Sequence, residues 1–154
     1  MRPTPILLSV LALAACASPS IDTRSTPPLH LDPALYELYS GEWQGTSYRP
    51  GDLTGTPWTL VQSVSVDGSA AGSLTFVGTT VAPAPVKLIE ANDSTFISLI
   101  GPYYSPTVNA QVVTRVEGRI TRERLWGTFY ARPVQGGDEV TGRFEAVRVS
   151  PDTG

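Results

Sequence analysis

One cysteine, one histidine and one lysine occur in 154 residues, and each scarcity removes a class of chemistry. The only cysteine is Cys16, the only histidine His30 and the only lysine Lys87. A lone cysteine allows no internal disulfide. With so little Cys and His there is no zinc-type metal site and no Cys-His or Ser-His nucleophile pair. Neither a G-x-S-x-G elbow nor a lysine-bearing phosphate loop is present. Charge is also sparse, at 16 % of residues, and the net charge of −3 leaves no basic excess for a nucleic-acid surface. A carboxylate pair of the glycosidase kind would remain. The acids, Glu42, Asp67, Glu117 and Glu145 among them, fall mostly at turns or on outward positions, where solvation is the default. The expectation is therefore no enzyme, no catalytic residue, no metal and no cofactor.

Long apolar runs are missing as well. The longest, from Ile6 to Ala15, is interrupted only by Ser9 and follows Arg2 and the amino terminus. A bilayer-spanning helix needs about 20 apolar residues, so ten residues behind a basic start read as a signal peptide over 1–15. The run ends Leu13-Ala14-Ala15-Cys16, which resembles the bacterial lipobox. That resemblance implies cleavage before Cys16 and lipidation of its thiol by two or three acyl chains of the palmitate kind. One such chain holds a membrane only marginally, at about 0.8 kcal/mol per buried methylene, whereas two or three make a lasting anchor. The next residue is Ala17 rather than aspartate. By the same resemblance the implied address is the bacterial cell envelope, at the outer membrane facing the periplasm.

Beyond Cys16, residues 16–31 are rich in Ser, Thr and Pro without hydrophobic periodicity, and read as a flexible lipidated tether. His30 falls in this stretch and reads as a solvated side chain. A domain over 32–150 follows, of ordinary single-domain size. Asp32 can cap a short helix, Pro33 suits its first position and Gly41 its left-handed end, with Leu35, Leu38 and Tyr39 on one face.

From Gly41 the hydrophobic period becomes two. Trp58, Leu60, Gln62, Val64 and Val66 alternate with Thr59, Val61, Ser63 and Ser65, and Val108 to Val116 and Leu125 to Ala131 repeat the pattern. Shorter β-like runs cover Ser73 to Val77, Val86 to Glu90 and Thr95 to Ile100. Glu42 to Tyr48 opens the series and Glu139 to Val149 closes it. Turn signals at Asp67-Gly68, Asn92-Asp93 and Gly136-Gly137-Asp138 separate them. Eight strands without a helix-length crossover predict an all-β, eight-stranded antiparallel up-and-down barrel preceded by a short helix, with a two-sheet β-sandwich as the alternative. Ala82-Pro83-Ala84-Pro85 does not suit a central strand, and Gly101-Pro102 with Pro106 makes the fifth connection irregular, so the barrel is expected to be partly open or loop-covered near its fourth strand.

Gly41-Glu42-Trp43, after a short helix and before a meander of strands, resembles the Gly-x-Trp motif of the lipocalin and calycin barrels. The resemblance implies that Trp43 packs at a helix-closed end with an arginine from late in the chain across its ring, either Arg143 or Arg148. A barrel of eight strands is just wide enough to fill with side chains or to hold one small ligand. Gly45, Ala110, Gly127 and Gly142 would leave room inside, though glycine in strands equally marks bends. Trp58, Tyr103, Tyr104 and Trp126 are the candidate ligand-binding residues, near one end of the barrel, where they would line a mouth or present a sticky surface. Two functions stay open. One is a membrane-anchored envelope lipoprotein, a lipocalin-like binder of a small apolar ligand. The other is a packed β-domain that docks on another envelope protein or the cell wall without ligand or catalysis.

Overall fold

The computed structural model describes residues 27–150. The signal peptide over 1–15, Cys16 and most of the tether lie outside the described residues. The described chain opens with a 3-10 turn, Pro33–Leu35, and a single helical turn α1, Tyr36–Tyr39. Eight strands follow: β1 Gly41–Tyr48, β2 Thr56–Val64, β3 Ala70–Phe76, β4 Ala84–Ala91, β5 Thr95–Ser105, β6 Ala110–Ile120, β7 Arg124–Pro133 and β8 Val140–Arg148. Each pairs antiparallel with the next, and β8 pairs back onto β1, so the sheet closes into an up-and-down barrel with no open edge.

Alternation decides which side chains enter the lumen. On β2 the buried positions are Trp58, Leu60 and Gln62, and on β6 they are Val112, Thr114, Val116 and Ile120. Their neighbours Val61, Ser63, Gln111 and Glu117 face water. Val66, expected to continue the β2 face, lies beyond the strand and is fully exposed. Rings fill one side of the lumen: Trp58 to Phe144, Phe144 to Phe96 and Phe96 to Tyr39, each pair 6.4 Å apart between centroids. These are ordinary tilted and edge-on aromatic distances, so the four rings form one continuous column from end to end.

Four expectations need correction. Asp32 does cap, accepting from the Ala34 N–H at 2.9 Å, but the helix ends in extended Ser40, and Gly41 already belongs to β1. Its φ of +131° and the Arg148 guanidinium beside it, where a Cβ would stand, are what require glycine there. The ordered domain also begins earlier than 32. His30 bridges Ser69 and its Nδ1 lies 3.0 Å from the Asp67 carbonyl, while Leu31 is buried and donates its N–H to Gly68 at 2.9 Å. A single apolar side chain reaching the core thus outweighs the polar composition around it.

The prolines are accommodated rather than excluded. Pro85 sits near the start of β4, facing outward, opposite Ser73 and just before pairing with β5 begins at Val86. The barrel closes there all the same, although β3 and β4 pair only over residues 72–74 whereas β6 pairs with β7 over 112–120. Likewise β5 passes through Gly101-Pro102 with a shift of register between Ile100 and Tyr103 and continues to Ser105. A bulge absorbs the missing donor without ending the strand.

Candidate functional site

The two ends of the barrel differ. At one end α1 and the hairpins 65–69, 92–94 and 121–123 close the lumen. Trp43, 1 % exposed, forms its floor, and the Arg148 guanidinium lies 4.1 Å from the Trp43 ring. Arg148 also donates to three backbone carbonyls: from Nη2 to Leu38 at 2.8 Å, from Nε to Arg122 at 2.5 Å, and from Nη1 to Ser40. One side chain therefore ties the helix, the 121–123 hairpin and the last strand together. Burial lowers its pKa from the ordinary guanidinium value, partly offset by Glu37. The Tyr39 hydroxyl donates to the Asn92 and Thr95 carbonyls at 2.8 and 3.0 Å, pinning α1 to the β4–β5 turn. Burial pushes its pKa up to about 12, against the backbone hydrogen bond to Asn92. Of the two candidate arginines, then, Arg148 covers Trp43. Arg143 lies instead over Tyr48 at 4.2 Å, near the other end.

That other end is a mouth framed by the loops 49–55, 77–83, 106–109 and 134–139. Trp58 and Tyr103 both line the lumen here. Trp58 Nε1 donates to Ser47 Oγ at 2.8 Å, and Tyr103 shares a hydrogen bond with Thr114 Oγ1 at 3.0 Å while stacking on Phe76 at 5.6 Å. Desolvation raises the Tyr103 pKa and the hydroxyls of Thr114 and Ser105 lower it, with the rise the larger effect. Thr107 bridges the rim: its hydroxyl lies 3.1 Å from that of Thr56, and its carbonyl accepts from Arg49 Nη1 at 3.3 Å. Arg49 is held in turn by Asp52 at 3.2 Å, and the Arg49 backbone N–H, followed by its guanidinium, draws the Asp52 pKa below the usual carboxylate value.

Two of the four candidate residues do not line the lumen. Tyr104 follows Tyr103 and so points outward; it is 41 % exposed and its hydroxyl donates to Asn109 Oδ1. Trp126 lies on the outer face near the plugged end, next to inward Leu125, with Arg124 5.9 Å from its ring. Strand parity separates these rings, and the aromatic content of a segment does not report parity.

Between plug and mouth the lumen holds a partly open cavity of about 80 Å³. Its walls are mostly apolar, among them Leu60, Leu74, Val86, Leu88 and Phe129. Among the described residues no Asp, Glu, His, Lys or Arg lines it. The glycines expected to enlarge it do the opposite. Where a Gly45 Cβ would stand, the Trp58 indole and Ala146 Cβ already sit; Gly142 admits Phe129, and Gly127 lies against the β6 backbone at Gly118. Ala110 is half-buried against the core. The polar residues Gln62, Ser98, Ser105 and Thr114 are buried along the walls. Gln62 was visible in the sequence only as one member of an inward alternation; its polarity at a core position was the overlooked signal.

No protein-family model, curated protein or solved structure matches the chain. Among the described residues no helix is long and apolar enough to cross a membrane, and no three His, Cys, Asp or Glu side chains gather as a metal site would require.

Proposed function

We propose that the protein is a lipid-anchored binder of one small or slender apolar molecule, without catalytic activity, held in the bacterial envelope through Cys16 and facing the periplasm from the outer membrane. The observation that carries this reading is a lumen closed at one end and open at the other, with an uncharged, mainly apolar cavity between. Bulky ring systems do not fit: ligand pockets for drug-sized molecules run to about 300 Å³ or more, against about 80 Å³ here. A slim molecule entering end-on between Trp58 and Tyr103 does. The likeness to lipocalin and calycin barrels rests on Gly41, Trp43 and the Arg148 stack, and belongs to the same proposal.

The tether joins at the plugged end, where His30 and Leu31 pack against the 65–69 hairpin. The described chain therefore enters the barrel at the end opposite the mouth.

Native mass spectrometry of the mature protein, isolated from its own host and released from mild detergent, tests both parts. The expected spectrum shows an amino terminus at acylated Cys16 and a fraction of molecules carrying one additional small mass, both the acylation and its processing being lost in Cys16→Ala. An amino terminus elsewhere overturns the anchor. A uniformly empty barrel favours the second reading, a packed domain docking through its outer face on an envelope protein or the cell wall, which the ring column and the modest cavity support.

A further inference from the structure

Two polar side chains in the plugged half of the lumen have no hydrogen-bond partner among the described residues. Gln62 lies two residues from the plugged end of β2 and is 8 % exposed; Ser98 lies three residues beyond the start of β5 and is 4 % exposed. Both line the cavity. Beside Gln62 in the sheet stand Gly41 on β1 and Gly72 on β3, neither with a side chain to meet the amide. Beside Ser98 stand Leu88 and Val116, which offer no polar atom. By contrast the other buried polar groups of the lumen are paired locally: Thr114 with Tyr103, and Ser105 with the Val108 N–H. The polar atoms of Gln62 and Ser98 keep some exposure, since among the described residues no buried side-chain nitrogen or oxygen is wholly enclosed without a partner.

An amide and a hydroxyl facing a mostly apolar cavity cost free energy until something hydrogen-bonds them. Together they offer two N–H donors, a carbonyl acceptor and a hydroxyl that does either. The same walls carry no charge, so a carboxylate or ammonium placed there would have no counter-ion and would keep its full desolvation penalty. We infer that Gln62 and Ser98 form a polar seat that takes the hydrogen-bonding head of an uncharged amphiphile, an alcohol or amide, whose apolar chain runs along Leu60, Leu74 and Phe76 toward the mouth. The volume agrees: about 80 Å³ is room for several waters, each needing about 10–15 Å³ on this measure, or for a small head and its first carbons. This inference rests on reading the lumen as a binding site, and it names the ligand class and its orientation.

Four probes of equal chain length separate the two questions: hexane, 1-hexanol, hexanamide and, at about pH 8 where its carboxylate is ionised, hexanoate. Binding is followed by ligand-observed NMR on the full chain in lipid nanodiscs, with empty nanodiscs subtracted, for the unaltered protein and for Gln62→Leu and Ser98→Ala. The expected order places hexanol and hexanamide about tenfold above hexane and hexanoate, one net hydrogen bond being worth about that much. Gln62→Leu, close in volume, removes most of that preference and raises Tm, because an unpaired polar group leaves the core. Ser98→Ala removes a smaller part. Equal binding of hexane and hexanol, unchanged by Gln62→Leu, overturns the polar seat while leaving lumen binding standing. Hexanoate as the best ligand overturns the charge argument. Failure of all four to bind overturns the seat together with the binding function itself, with water as the only partner of Gln62 and Ser98.

Discussion

The plugged end and the mouth of this barrel use the same side-chain types for different ends. Each has a tryptophan, a tyrosine with a hydrogen-bonded hydroxyl and an arginine stacked on a ring. At the plug these groups bond to backbone: Arg148 to three carbonyls, Tyr39 to two. At the mouth they bond to side chains, Trp58 to Ser47 and Tyr103 to Thr114, and Arg143 only covers Tyr48. Backbone partners fix one segment of chain to another, whereas hydroxyl partners rotate. The plug is built to hold the helix, and the mouth to shape a wall that can change its contacts.

The sharpest test of that contrast is the pair of arginines. Arg148→Ala frees the Leu38, Ser40 and Arg122 carbonyls and uncovers Trp43, with an expected loss of about 3 kcal/mol, because charge-assisted bonds are costly to break where, as at Leu38 and Ser40, the acceptors are partly buried. Arg143→Ala, on an exposed stack, is expected to cost about 0.5 kcal/mol. Urea melts of both variants measure the difference. Similar losses would mean that the two ends are equally structural. Arg148→Lys is expected to recover little, since a single ammonium cannot reach three carbonyls in the geometry of a planar fork.

Next in size is the titration of Tyr39. Its neutral form is the one that the fold prefers, so the pKa of about 12 lies above the ordinary value of 10.0. A raised folded-state pKa means that this contribution is fully present below pH 10.0 and is lost as pH climbs toward 12. Thermal melts should therefore steepen downward in that window. Tyr39→Phe is expected to cost about 1 kcal/mol at neutral pH, one net hydrogen bond, and to flatten the alkaline slope. Tyr103, also raised, leaves a smaller residual slope at the mouth. An alkaline slope unchanged in Tyr39→Phe would remove Tyr39 from the account of the plug.

Period-two alternation is a strong signal wherever one face of a strand must be buried. For that reason β2, β6 and β7 were legible in the sequence, as were the barrel and the Asp32 cap. Segments in which local chemistry and tertiary closure disagree were less so. Pro85 and Gly101-Pro102 argue locally for breaks, yet closing the ring satisfies more backbone than those residues withhold. Half of the candidate site was legible for a similar reason. Trp58 lies on a recognisable alternation, but Tyr103 and Tyr104 follow the register shift, and only one of two adjacent rings can face inward. Trp126 is one residue out of phase with Leu125. The polar seat was hidden because Gln62 reads as an interruption of an apolar stripe until its glycine neighbours on β1 and β3 are known.

The smallest expected effect probes whether the mouth's hydroxyl pairs shape the wall rather than support the fold. Tyr103→Phe leaves the Thr114 hydroxyl buried without its partner, and Thr114→Val leaves the Tyr103 hydroxyl with Ser105 alone. Each single change is expected to cost about 1 kcal/mol, mainly the desolvation of the group left behind. Making both changes removes donor and acceptor together and replaces them with apolar groups of nearly the same shape. The double variant should then lose less than either single variant, within about 0.5 kcal/mol of the unaltered protein, and a double-mutant cycle in urea reads this as a coupling of opposite sign to the single losses. Additive losses would show that the pair supports the fold as the plug does, and would erase the distinction between the two ends. Near-complete recovery would show that this stretch of wall needs only to be filled, leaving its polarity available for a ligand.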